Sequence, residues 1–135
     1  MLSITHIMTG AALGRDSRPW GAFLIGLASH LVLDVLPHQD HSSTWLGALD
    51  LVTGIFLARS SGILRHKGAF YGALGGAIPD LEVAFAHLLD NDFPRVFPSH
   101  KGLLHDGGAG ARGVVFELLL LATVLLALTP RSERA

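Results

Sequence analysis

The stretch Ser29-His30-Leu31-Val32-Leu33-Asp34-Val35-Leu36-Pro37-His38-Gln39-Asp40 constrains this chain more than any other. It ends a long apolar run and carries four potential metal ligands. His30 and Asp34 are four apart, so on a helix they share a face, one turn above the other. Pro37 predicts the helix end, because the residue before a proline is pushed out of the helical region. His38 and Asp40 follow in the exit turn. Polar groups on a buried face need partners, and the candidates are one another, water or a metal ion.

The rest of the chain repeats the apolar theme. Five helical segments are expected, at roughly 2–14, 19–36, 44–59, 68–90 and 112–129. Pro19 stands at a helix-start position. The last segment, with Glu117 as its only charge from Gly113 to Leu128, reads as a membrane span. The first is short for one. Gly68, Gly72 and Gly76 recur at four-residue spacing, as in close helix contact in lipid. Half the residues are hydrophobic and 16% are charged, against ~25% in ordinary soluble domains. The expected fold is therefore all-α. It is a single domain over 1–135, a small integral-membrane bundle of about five helices with a long outer loop between the fourth and fifth.

Basic residues orient such a bundle. If all five segments cross, one side receives Arg15, Arg18, Arg59, Arg65, Lys67, Arg131 and Arg134, and the other Arg95, Lys101 and Arg112. Seven against three predicts an inner-membrane protein with its N-terminus outside. That orientation, which uses no His or acid, places His6, His30, Asp34, His38, Asp40, Asp50, Asp80, Glu82, His100 and His105 at one outer level. His41, His66 and His87 read as loop or helix-surface residues, and Asp90 and Asp92 as a solvated helix end.

Charge balance is near neutral, 10 Lys+Arg against 11 Asp+Glu, which offers no electrostatic footprint for nucleic acid. There are no cysteines, so disulfides, thiolate zinc sites and cysteine nucleophiles are excluded. Any metal site uses nitrogen and oxygen donors from the eight histidines and the carboxylates. Ionisable groups inside apolar segments are expensive, which makes a functional role the default. The candidate ligands are His6, His30, Asp34, Asp50, Asp80, His100 and His105. His38, Asp40 and Glu82 are candidates for a base or a supporting role. Pro79 is expected to bend the fourth helix, so that Asp80 and Glu82 both face one site or Asp80 ligates with Glu82 behind it.

That many ligands suits one or two divalent ions, with zinc first and manganese or iron as alternatives. The simplest chemistry is hydrolysis by water made acidic on a metal. A lipid or lipid-linked phosphoester, reaching the site from the bilayer, is the expected substrate, and an oligomer is possible. Two other readings remain open. One is a non-enzymatic membrane protein whose metal clamps its helices. The other is an ion or proton carrier.

Four blocks carry a resemblance: Thr5-His6 followed by Gly10, the Ser-His-Leu-x-Leu-Asp-x-Leu-Pro-His run at 29–38, Gly-Ala-Ile-Pro-Asp-Leu-Glu at 76–82, and Ser-His-Lys-Gly-x-x-His at 99–105. On these the chain resembles the YdjM-like family of predicted membrane-bound metal-dependent hydrolases. The resemblance implies a small inner-membrane helical protein related to zinc-dependent phospholipases C. It implies metal-associated roles for His6, His30, Asp34, Asp80, His100 and His105. The block order differs from the family's usual one, and Glu82 and Lys101 stand where aspartate and arginine are usual.

Overall fold

A computed structural model of the chain describes residues 1–41, 43–89, 96–101 and 108–128. Five α-helices account for most of them: α1 Ser3–Gly14, α2 Pro19–Val35, α3 Thr44–Ser60, α4 Lys67–Leu88 and α5 Gly110–Leu128. Two 3-10 turns, Ile63–Arg65 and Pro98–Lys101, lead into α4 and precede α5. Among the described residues there is no β-strand, only an isolated bridge between Gln39 and Gly108. The all-α expectation holds, and every helix falls within two residues of its expected bounds.

Local signals explain the boundaries. α2 opens on Pro19, whose missing N–H costs nothing in a first turn. It stops at Val35, two residues before Pro37. Ser43 caps α3, its hydroxyl accepting from the Leu46 N–H. α4 continues as one helix through Pro79.

α1, α2 and α4 pack against one another, and α3 and α5 lie against α1. The three-helix contact is made by backbone. A methyl group on Gly72 would overlap the Gly10 carbonyl of α1, and one on Gly26 of α2 would overlap the Gly72 carbonyl. A methyl on Gly76 would overlap the carbonyl of His6. The glycines at 68, 72 and 76 thus let α4 touch its neighbours at a separation no other residue allows. The apolar core is correspondingly small-sided: Ile4, Ile7, Met8, Ala11, Ala58, Ala69 and Ala73, joined by Ile63 and Val124.

Large apolar side chains point outward instead. Trp45 is 85% exposed, Leu126 75% and Phe56 66%, with Leu24, Leu49, Val52 and Leu119 alongside. α5 is long and apolar enough to cross a membrane, whereas α2 is an apolar helix of only 17 residues. Many large apolar side chains are thus exposed, while His6, His30, Asp34 and Glu117 are buried.

Candidate metal centre

Four elements deliver imidazoles and carboxylates to one buried point. His6 comes from the first turns of α1, His30 and Asp34 from the last turns of α2, Asp80 from α4, and His100 from the turn Pro98–Lys101. His6, His30 and Asp34 are buried. Asp80 and His100 are partly open. The i, i+4 spacing of His30 and Asp34 stacks them on one helical face, as expected.

Gly76 is the hinge of this arrangement. Its missing side chain admits the α1 backbone at His6. Its carbonyl accepts a hydrogen bond from Nδ1 of His30 at 2.8 Å. That bond fixes the His30 tautomer and aims the Nε2 lone pair into the cluster, the way a backbone carbonyl orients a metal-bound histidine.

The distances then make a specific demand. His30 Nε2 lies 3.1 Å from Asp34 Oδ2 and 4.0 Å from Asp80 Oδ1. His6 Nε2 lies 3.2 Å from Asp34 Oδ1, and His100 Nε2 lies 3.7 Å from Asp34 Oδ2. The His6 and His30 rings stack with centroids 3.8 Å apart. Yet neither nitrogen of His6, nor His30 Nε2, Asp34 Oδ2 or Asp80 Oδ2, makes a hydrogen bond of good geometry, and all are shielded from solvent. Buried polar atoms left so cost free energy. Lone pairs this close repel unless a proton or a cation lies between them.

A divalent ion fits the donor set. With bonds of 2.0–2.1 Å, two tetrahedral ligands sit ~3.3 Å apart, close to the His–Asp34 spacings. Two triads have donor atoms mutually within 4.8 Å, His6/His30/Asp34 and His30/Asp80/His100. They share His30, and His30 has one nitrogen to give, since Nδ1 is spent on Gly76. Burial pushes the His100 imidazole below its ordinary pKa, which keeps it neutral and fit to ligate.

The remaining expected residues stand elsewhere. Asp50 accepts from the Ser3 and Ile4 N–H groups and from His41 Nε2 at 3.1 Å, so it serves the start of α1. His38 bonds the Leu36 carbonyl through Nδ1 at 2.7 Å and faces Asp40 Oδ1 at 3.2 Å. Asp40 also meets the Met1 ammonium at 3.1 Å. Glu82 accepts from the Val96 and Phe97 N–H groups, at 2.7 Å and 3.2 Å, just before His100. It therefore pins the segment that carries His100, and α4 puts only Asp80 of its two acids into the cluster. His105 lies outside the described residues, as do Asp90 and Asp92.

Two polar residues outside the expected site set have structural partners. His41, expected as a loop residue, holds Asp50. Glu117, noted only as a lone charge, is 2% exposed and accepts from the Leu2 N–H. A solitary carboxylate in an apolar helix was the available signal.

No family model, curated protein or solved structure matches the chain.

Proposed function

We propose that this is a multi-pass membrane protein holding one divalent metal ion, and that it hydrolyses a phosphoester in a lipid or lipid-linked substrate. The observation that carries the metal reading is the His30 imidazole. Its Nδ1–H is anchored on Gly76, and its buried Nε2 lies 3.1 Å from Asp34 Oδ2 and 4.0 Å from Asp80 Oδ1, with the His6 ring stacked against it. Having one donor atom common to both triads favours a single ion over two.

Within this reading His6, His30 and Asp34 form the closed side of the site, a set of two imidazoles and one carboxylate. Asp80 and His100 line the more accessible side. Three protein ligands with one side open is the pattern of catalytic rather than structural zinc. A bound ion of this kind supplies Lewis acidity and makes a water molecule acidic near neutral pH. With an ion bound, Asp80, whose Oδ2 is buried, would serve on that side as a further ligand or as the acceptor of a proton from bound water. Glu82 holds the Val96–Phe97 backbone so that His100 stays at the rim.

Membrane residence is supported by the span-length apolar α5, the outward Trp, Phe and Leu side chains, and the backbone contacts at glycine. The excess of Arg and Lys at the far ends of α1–α4 favours that end as cytoplasmic, which puts the metal centre on the outer side. The resemblance to the YdjM-like family agrees with this assignment.

The test is direct. Full-length protein in detergent is analysed for bound zinc, manganese and iron. It is then assayed on bis(p-nitrophenyl) phosphate and on a short-chain phospholipid, with and without chelator. Chelator-sensitive cleavage, lost in His30→Ala, is expected. Bound metal with no cleavage of either compound would leave only the structural clamp.

A further inference from the structure

We propose that Asp50 and Glu117 are positioning residues of the metal centre, acting through the first turn of α1. The proposal rests on the metal reading above. α1 starts at Ser3, and Leu2 at its N-cap offers no side-chain cap. The N–H groups of a helix's first turn have no partners within the helix and carry its positive end. Here two carboxylates from other helices take them. Glu117 of α5 accepts from Leu2, and Asp50 of α3 accepts from Ser3 and, at 3.4 Å, from Ile4. Asp50 is itself braced by His41.

His6 follows within one turn of these bonds, and it is the only residue α1 contributes to the cluster. Among the described residues α3 and α5 contribute no ligand. Both pack mainly against α1. On the other side of α1, the His6 carbonyl rests on Gly76. The turn bearing His6 is thus gripped from both sides, by charge at its N–H groups and by backbone contact at Gly76. Loss of either carboxylate leaves buried N–H groups open and lets the turn fray, withdrawing His6 from the ion.

The experiment measures Zn(II) and Co(II) affinity by competition with a chelator, on the full chain in detergent. Asp50→Ala and Glu117→Ala, which remove the accepting oxygens, are each made in the parent protein and in a His6→Ala background. In the parent each substitution weakens metal binding by 10–100-fold, the usual scale for outer-shell partners, and shifts the Co(II) visible bands. In the His6→Ala background each changes affinity by less than about twofold, because α1 no longer delivers a donor. Unchanged affinity in the parent overturns the proposal. So does an equal loss in both backgrounds, which marks general loosening. Failure of both variants to fold overturns it too, since the carboxylates then hold the whole bundle. A parent protein that binds no ion removes the metal reading itself, a result distinct from these.

Discussion

The trio α1, α2 and α4 and the flanking pair α3 and α5 are held by different physics. Within the trio, backbones meet at Gly10, Gly26, Gly72 and Gly76 with no room for a methyl group. The flanking helices meet α1 through carboxylates at its first turn, through Ala58 and Val124 in the apolar core and through one close approach, Gly54 to Ile4, and turn Trp45, Phe56, Leu119 and Leu126 outward. The trio carries His6, His30, Asp34 and Asp80. The contrast teaches where precision is kept. The candidate ligands sit on helices whose spacing is fixed by the chain itself, and large apolar side chains face away.

The largest effect should separate the two regions outright. Gly76→Leu places a side chain where the His6 carbonyl stands, beyond ordinary overpacking, which already costs about 1–3 kcal/mol. No folded, metal-binding protein is expected by size exclusion and circular dichroism. Leu126→Ala on the outer face of α5 should stay within about 0.5 kcal/mol of the parent. Equal damage from both would erase the distinction.

Next in size is His30→Ala combined with Asp80→Ala. Bound metal should vanish while helical content stays near the parent value, because the glycine contacts are untouched. Gly54→Ala on α3 should be milder, costing about 1–3 kcal/mol in a denaturation series. Its new Cβ would lie 2.9 Å from the Ile4 Cα of α1, a contact that a flanking helix can relieve by shifting.

The smallest effect is a divergence with pH. Metal ligation competes with protons at the imidazoles, so binding should weaken as pH falls below about 6.5. The His38–Asp40 pair runs the other way. Burial opposes the His38 charge, but Asp40 and the Leu36 carbonyl outweigh it and raise the pKa above its ordinary value. Its stabilisation is fully present below about 6.5, the unfolded value, and is lost as pH rises through the folded one. With Asp40 half exposed, the gain is under about 1 kcal/mol. Melting curves of His38→Gln and the parent should converge at high pH.

Much of this was legible in the sequence. Apolar runs, Pro19, Pro37 and the glycine spacing gave the helices, and the His30/Asp34 spacing gave the face of the site. His6 and Asp80 joined it because they share its level along the helices. Level alone could not sort Asp50 from a ligand. Its carboxylate is taken up by α1's N–H groups, a choice set by which helices are neighbours. Glu82 followed the same logic, since two positions along a helix turn it away from Asp80 and toward the backbone ahead of His100. Pro79 removes one backbone donor without ending α4, which continues to Leu88.

The central claim is that a single cation occupies the point faced by His30 Nε2. Anomalous diffraction from crystals of the full chain, recorded at the absorption edges of zinc, manganese and iron, tests it most directly. One peak per chain, in bonding distance of His30 Nε2 and Asp34, is the predicted result. No peak there, with His30 and Asp34 sharing a proton in a closed hydrogen bond, would contradict it.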